Sequence, residues 1–300
     1  TGYYQNFSDA HNLMSYRHTR AHNSLLVNGI GQPYSTEGYG SVMRAMGGQH
    51  ISYCLGDASH AYRSISNDPM WVDYFKQAGI EQTPENGFGA TPLTKYRRHV
   101  LMLHPHTVIV YDELEASEAV RWEWLLHSPT EFKIDAVKKT LSTDNKTKGW
   151  VAVTQLFGGH VFTLSQTDRF VVPPAITGAE YPNQWHLTAR VDGCSATRFL
   201  AIIQVGDEAV SIINRDGDTF NVGDWTIKAV LDASKAPELT VSHRTEQAVF
   251  SYGTDNPALN GNFYSRQYTG SSLLYDEIDG AYQVVEMTDR SPISTRVVNQ

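Results

Sequence analysis

The stretch RWEWLLHS, residues 121–128, has the alternation of a β-strand with one buried face. Trp122, Trp124 and Leu126 share one side of an extended chain, and the residues between them share the other side. We predict that the two tryptophans pack in a core, because aromatic side chains in sandwiches mostly supply buried area. The alternative is that they form a platform for a sugar ring.

Similar runs recur along the whole chain, among them RHVLML, HTVIVYDEL, RFLAIIQV and SLLYDEI. Turn dipeptides of the NG, GG and DG types separate the runs, as hairpin connections require. The pattern predicts an all-β protein built as a large antiparallel β-sandwich with few short helices. We predict one sandwich domain over residues 1–300, with a smaller terminal sheet over about residues 236–300 as a variant of that organisation.

Two stretches are typical of short helices. In DPMWVDYFKQAG, Asp68 suits the N-cap, Pro69 suits the first turn and Gly79 suits the position after the end. The second stretch, DASHAYRS at residues 57–64, is shorter. We expect both to be insertions between strands, followed by a long loop over residues 83–94.

Composition excludes several classes of protein. The chain has 300 residues and a formal net charge of -8, which argues against a general nucleic-acid binder, because phosphate contacts need a basic face. No apolar run approaches the roughly 20 residues that span a bilayer. Cys54 and Cys194 lack metal-binding spacing, and we expect two buried thiols, although their pairing stays open.

The stretch TRAHNSLLVNGIGQ, residues 19–32, places His22 and Asn23 at the mouth of an apolar strand. If this segment is extended, His18, Arg20 and His22 share one face. Histidines four residues apart form a ligand pair only on a helix, so the spacing alone does not define a metal site. Two interpretations of His22 remain open: a functional imidazole, or a ring that bonds a neighbouring carbonyl.

Three segments together resemble a known family. They are TGYYQNFSDAHNLMSYRHTRAHNSLLVNGIGQ (residues 1–32), YRRHVLMLHPHTVIVYDEL (residues 96–114) and WEWLLHS (residues 122–128). Their order is similar to that of the C-terminal β-domain of heparinase II/III-like polysaccharide lyases. The resemblance is greatest to the branch with exo-acting oligoalginate lyases and exo-acting heparinases.

The resemblance implies a zinc ligand and a partner domain. In that family the His of the Ala-His-Asn motif, here His22, helps to bind a structural zinc near an upstream α/α-toroid domain. Asn23 is then expected to orient His22 without itself binding the metal. The other zinc ligands, and the Tyr and His that perform the elimination, are expected upstream. We therefore expect Thr1 to be an internal position of a longer enzyme and expect no catalytic residue in this chain.

Elimination from a uronic-acid glycan also requires binding groups. The carboxylate must be neutralised, the C5 proton removed and the departing O4 oxygen protonated. From this chain Tyr4, His11, Arg17 and Arg20 are the candidates for substrate binding, with His11 favoured for the substrate end. The alternative is that these side chains staple a surface turn through hydrogen bonds and ion pairs.

Two functions of different classes remain open. The first is the β-domain of a lyase that acts on alginate or on heparin or heparan sulfate oligosaccharides, with zinc as a structural cofactor. The second is a non-catalytic glycan-binding or scaffold sandwich. We favour the lyase, expect a periplasmic or secreted bacterial protein, and expect no activity from this segment in isolation.

The choice between alginate and a sulfated glycan depends on cations. Sulfate groups call for more positive charge than carboxylates alone. Only Arg17, Arg20, Lys95, Arg97 and Arg98 look clustered enough in the sequence to supply it. The sequence leaves this choice open.

Overall fold

The computed structural model describes residues 7–145, 149–174, 183–206, 213–259, 262–289 and 291–297. Two large antiparallel sheets dominate these residues, which confirms the all-β prediction. The first sheet contains ten described strands: β1 (Leu25–Val27), β2 (Ser41–Gly47), β3 (Ile51–Asp57), β4 (Leu93–Leu103), β5 (Thr107–Ser128), β6 (Lys133–Asp135), β7 (Thr140–Asn145), β8 (Trp150–Gly158), β9 (Thr163–Thr167) and β10 (Trp185–Gly206).

The later part of the chain forms the second sheet and one separate strand pair. Its strands are β11 (Ile213–Asp216), β12 (Thr219–Val222), β13 (Trp225–Ala229), β14 (Leu239–His243), β15 (Val249–Tyr252), β16 (Ala258–Leu259), β17 (Asn262–Phe263), β18 (Ser272–Ile278), β19 (Ala281–Thr288) and β20 (Ser291–Val297). β16 pairs with β17 alone, and the other eight form a sheet in the order β11-β12-β13-β14-β15-β18-β19-β20.

The first sheet is organised around two long strands, β5 and β10. They pair antiparallel along most of their length, with a bulge where Cys194 interrupts the register. The main path of the sheet is β2-β3-β4-β5-β10-β8-β7-β6, while β1 pairs with β5 and β9 pairs with β10. Because β1 lies against residues 122–124 of β5, the strand that follows the AHN motif is fixed beside the RWEWLLHS stretch.

The main core lies between the two sheets. Leu101, Tyr111 and Ile202 from the first sheet pack with Ile227 and Phe250 from the second, and all five are buried. Burial of such side chains is the dominant favourable contribution to a fold of this kind. The contact between the faces makes the two sheets one sandwich.

A second core lies on the other part of β5 and confirms the prediction for the tryptophans. Trp122 is 0% exposed and Trp124 is 2% exposed. The indole N–H of Trp122 donates to the carbonyl of Cys194 at 3.1 Å, and that of Trp124 donates to Asp112 Oδ2 at 2.9 Å. Neither ring is available as a sugar platform.

Helical structure is short and lies near the beginning of the chain. The helix α1 (Pro69–Gln77) begins after the N-cap Asp68, whose Oδ1 accepts from the backbone N–H of Met70 at 3.0 Å, as predicted. A π-helical turn covers Asn12–Tyr16, and 3-10 turns cover Thr19–Ala21 and Pro84–Asn86. These pieces share a small core in which Leu13, Met14, Phe75 and Phe88 are buried.

Two local predictions differ from the structure. The predicted helix at residues 57–64 is a turn, because Asp57 Oδ1 accepts from Ser59 N–H and the buried Tyr62 is held by its hydroxyl on the Leu25 carbonyl. These side-chain and long-range bonds replace the helical ones. The two cysteines are free thiols as expected, but they are half-buried rather than buried.

Candidate functional site

The segment that carries the AHN motif is not an extended strand. Residues 19–21 form a 3-10 turn, and the ring Nδ1 of His18 accepts from the backbone N–H of Arg20 at 3.1 Å. The expectation that His18, Arg20 and His22 share one strand face is therefore wrong. The physical reason is local: a side-chain acceptor at the cap favours a turn over an extended chain.

His18 is a structural residue. Its side chain is 0% exposed, and its Nε2 lies 2.9 Å from the carbonyl of Gly87. Burial lowers the pKa of His18 to about 3, helped by the nearby Arg20 charge, so the ring is neutral at physiological pH. Gly87 adopts a left-handed conformation, and a Cβ there would collide with the Arg20 guanidinium and the His18 ring.

Arg20, a predicted substrate-binding residue, points into the protein. Its Nε donates to His18 Nδ1 at 3.0 Å, and its Nη2 donates to the Asn86 carbonyl at 2.9 Å. Arg20 therefore ties the motif to the 83–94 loop.

His11 is similarly enclosed. It is 4% exposed, its Nδ1 lies 2.7 Å from the Val172 carbonyl, and its ring meets Phe170 edge to face at 4.7 Å. These contacts are those of a residue that fixes two segments together. Tyr4, the remaining aromatic candidate, lies outside the described residues.

Arg17 is a predicted substrate-binding residue that lines an open cavity. Its guanidinium carbon lies 4.7 Å from the centre of the Trp71 ring and 5.4 Å from that of Phe7. Its buried Nε has no hydrogen-bond partner within the described part of the chain. An unsatisfied buried donor of this kind costs about 1–3 kcal/mol, so it is expected to find an acceptor from a ligand, water or another segment.

The cavity beside Arg17 has a volume of about 470 Å³. Its walls come from the motif, the following loop and the first turn of α1. The residues with functional groups that line it include Arg17, His22, Gln32, Tyr34, Asp68 and Trp71. We call it the Trp71 pocket.

His22 lies between the Trp71 pocket and a second cavity of about 200 Å³. The residue is exposed. Partial desolvation nevertheless lowers the pKa of His22, and a hydrogen bond with the backbone of Arg17 partly offsets the shift. A neutral ring that is oriented through one nitrogen leaves the other as a lone-pair donor. The two sequence interpretations of His22 are thus compatible.

Asn23 is fixed by residues distant in sequence. Its side-chain Oδ1 accepts from the backbone N–H of His127 at 2.8 Å, and His127 Nδ1 lies 3.0 Å from the same oxygen. Its backbone carbonyl accepts from Arg98 Nη1 at 2.5 Å, and Arg98 in turn makes two bonds to Asp112, at 2.7 and 2.8 Å. Asn23 thus holds the motif against β4 and β5.

His127 lines the second cavity and forms a pair with His186, which the sequence analysis did not identify as functional. His127 Nε2 lies 3.0 Å from His186 Nδ1 and 2.9 Å from the Arg20 carbonyl. Burial, followed by the proximity of His186, lowers the pKa of His127 to about 4. The sequence signal was that His127 shares a strand with the core tryptophans. Its partners Arg20, Asn23 and His186 come from two distant segments.

Three of the five cations considered for sulfate binding form ion pairs within the protein. Lys95 lies 2.7 Å from Glu113 and 3.1 Å from Glu115. Arg97 pairs with Asp57 and Asp289, and Arg98 pairs with Asp112. These three side chains therefore do not form a free anion-binding surface.

The described residues do not by themselves form a complete metal site. Across the described ranges, no group of three or more His, Cys, Asp or Glu side chains is arranged to hold a metal ion. His22 fits the role of a single ligand, because its ring is accessible and neutral. Any further ligands must come from residues that the structure does not describe or from another segment.

Comparison with known proteins agrees with the fold. The model of the heparinase II/III-like C-terminal family matches residues 1–190. Similar solved structures include a crystal structure of heparinase III (TM-score 0.51, 14% identity, 89% of this chain and 32% of that one). A heparinase III gene product with methylated lysines gives a TM-score of 0.51 at 13% identity, over 76% of this chain and 29% of that one. Comparison with curated sequences finds no match.

These findings define a class and a family. The antiparallel sandwich defines an all-β domain, and the family match covers more than half of the chain. The chain belongs to the heparinase II/III-like family, in the C-terminal region of such proteins. It spans 29% and 32% of the length of the two structures above. Within the described residues, no helix is both long and apolar enough to traverse a bilayer.

Proposed function

We propose that this chain is the β-domain of a polysaccharide lyase that cleaves uronic-acid glycans by β-elimination. The glycan is a heparin, heparan sulfate or alginate oligosaccharide, and the domain contributes one zinc ligand and part of the substrate wall. Family membership supports the lyase class. The observation that carries the proposal is the exposed position of His22, which lines both cavities.

The contributions of this chain are positional and electrostatic. His22 offers one nitrogen to the metal, and Asn23 fixes the backbone that carries it through Arg98 and His127. With His22 as one of its ligands, a bound zinc would add binding free energy to the folded, assembled state. Arg17 lies where its guanidinium can pair with a uronate carboxylate, which acidifies the C5 proton.

The proton-transfer residues belong to the proposed upstream α/α-toroid domain. The site therefore needs both parts of the enzyme, and the 300-residue segment by itself is inactive in this proposal. Export to the periplasm or the exterior of a bacterium fits a protein that meets polymeric glycans. The alternative, a non-catalytic glycan-binding sandwich, predicts binding that survives the removal of metal.

The test is His22→Ala in the intact protein that contains this chain. We expect the loss of about one equivalent of zinc by mass spectrometry and the loss of unsaturated product in an absorbance assay, because the variant lacks one ligand. The control is His106→Ala, which changes an exposed histidine at the β4–β5 turn. Normal zinc content with normal elimination in His22→Ala would refute the proposal.

A further inference from the structure

The Trp71 pocket has the construction of a sugar subsite. Its volume of about 470 Å³ falls in the range of small-molecule sites. An aromatic wall and a small number of polar groups meet in it. The pocket also adjoins His22, so a ring bound there would lie next to the proposed lyase site.

The aromatic wall is rigid. Trp71 lies in the first turn of α1, where Asp68 caps the helix. Its ring is packed by Tyr34, with centroids 5.1 Å apart, and by Tyr74, with centroids 5.6 Å apart. Tyr34 is itself fixed, because its hydroxyl donates to the Leu13 carbonyl at 2.6 Å. A half-exposed indole held in this way offers the C–H face of a pyranose a preformed apolar surface.

The charges in the pocket suit one carboxylate. Arg17 lies 4.7 Å from the Trp71 ring and carries a buried Nε with no hydrogen-bond partner among the described residues. Among the residues that line the pocket, Arg17 is the single Lys or Arg side chain. Asp68 adds a negative charge that can accept from sugar hydroxyls but disfavours additional anions.

The remaining cations of the region do not change this balance. Lys95, Arg97 and Arg98 are each engaged with carboxylates, and Arg20 is turned towards His18 and Asn86. A sulfated uronate ring would bring two or more negative charges into a pocket that contains one guanidinium, Arg17, and one carboxylate, Asp68. An unsulfated uronate brings one negative charge, which Arg17 alone can balance.

We propose that the Trp71 pocket binds one unsulfated uronate ring, with the pyranose face against Trp71 and the carboxylate on Arg17. This inference rests on the proposed lyase function and specifies its substrate class. In this proposal Trp71 is a substrate-binding residue that lies in α1, outside the AHN motif.

The test measures binding and KM in the intact protein, with an alginate oligosaccharide and a heparan sulfate oligosaccharide of equal length as probes. Loss of the stacking surface in Trp71→Ala is expected to raise the Kd and KM for the alginate probe about tenfold. Trp71→Phe keeps an aromatic ring and is expected to recover most of the loss. Arg17→Gln is expected to raise the Kd and KM for the alginate probe by a similar factor.

Tyr74→Ala is the matched control, because Tyr74 lies on the same helix and packs on Trp71 but does not line the pocket. It is expected to lower thermal stability about as much as Trp71→Ala while leaving Kd within about twofold. An unchanged Kd in Trp71→Ala, an equal loss in Tyr74→Ala, or tighter binding of the heparan sulfate probe overturns the inference.

The two proposals fail separately. If His22→Ala abolishes zinc binding and activity while Trp71→Ala binds alginate normally, the subsite is wrong and the lyase stands. If His22→Ala retains both zinc binding and activity, the zinc and lyase proposal is wrong. Calorimetric binding, which needs no turnover, then still decides the subsite.

Discussion

Asp112 and Glu113 are neighbours in the sequence, yet they serve two different regions, because successive side chains of a strand point to opposite faces. Asp112 binds Arg98 and the Trp124 indole and so supports the open end of the sandwich where His22 and Asn23 lie. Glu113 faces the interior, where it meets His99. The same kinds of side chain thus form an accessible site on one face and a sealed network on the other.

The sealed network connects the two sheets through a chain of hydrogen bonds. Arg44 Nη1 donates to Ser272 Oγ at 2.9 Å, and Ser272 donates to the Tyr53 hydroxyl at 3.0 Å. Tyr53 lies 3.0 Å from His99 Nδ1, and His99 Nε2 lies 2.9 Å from Glu113 Oε1. Arg44 donates at one end of this chain and Glu113 accepts at the other, so the hydroxyl and imidazole groups between them each have a partner on both sides.

The comparison shows that burial, rather than residue type, distinguishes the structural His99 from His22, the proposed metal ligand. His99 is 0% exposed and has polar groups on both ring nitrogens. His22 is exposed and is oriented on one side. A ring with both nitrogens engaged holds the fold, whereas a ring with one accessible nitrogen can bind something else.

Among the tests of this comparison, the largest loss of stability is expected for Glu113→Ala. It removes the partner of both His99 and Lys95 and leaves their polar groups uncompensated, so the free energy of unfolding should fall by about 3–5 kcal/mol. Urea denaturation measures this loss. The control Glu115→Ala removes the exposed partner of Lys95 and should cost under about 1 kcal/mol. Equal effects of the two changes would contradict the distinction between sealed and open regions.

Acid should weaken the sealed network next. Burial by itself would raise the pKa of Glu113, but His99 and Lys95 lower it to about 2 from an ordinary value of 4.5. A depressed carboxyl pKa stabilises the fold above pH 4.5, and this contribution is lost as the pH falls towards 2. It amounts to a loss of about 2 kcal/mol by pH 3.

His99 acts in the same direction. Burial lowers its pKa below 6.5, so the unfolded chain takes up a proton in a range where the folded chain does not, and stability falls as the pH drops below 6.5. Urea midpoints from pH 7 to pH 3 measure the combined slope. Glu113→Gln should flatten the part below pH 4.5, and a slope unchanged in that variant would show that other carboxylates cause it.

The smallest effect is expected at the open end. Asn23→Ala removes the acceptor of the His127 backbone N–H, and because Asn23 is exposed, water replaces the lost bond in part. The free energy of unfolding should fall by only about 1 kcal/mol. Asn23→Asp retains an oxygen acceptor and should recover this loss. A decrease as large as that of Glu113→Ala would mean that the open end is part of the sealed core.

The sequence predicted those features that depend on local pattern. The parity of Trp122 and Trp124 identified a core face, and the Asp68–Pro69 pair identified the start of α1. Local pattern failed where a side chain overrides the backbone preference, as with His18, whose ring caps a 3-10 turn inside an apparently extended motif. The hydrophobic periodicity of the sequence does not indicate a side-chain cap of this kind.

The parts of the site that the sequence did not predict depend on long-range pairing. Asn23 and His127 are 104 positions apart, and they meet only because β1 pairs with the end of β5. Arg17 and Trp71 come together through the small helical core, and Arg98 faces Asp112 only in the observed register of β4 and β5. Strand register and helix docking are properties of the assembled fold, so single-sequence reasoning cannot supply them.

The length of β5 has a practical consequence for engineering. One uninterrupted strand, Thr107–Ser128, contributes Glu113 to the interior and His127 to the edge. An AHN loop grafted into another scaffold would therefore lose its geometry unless β5 and its antiparallel neighbour β10 were grafted with it. The minimum structural unit that preserves this arrangement is a sheet rather than a loop.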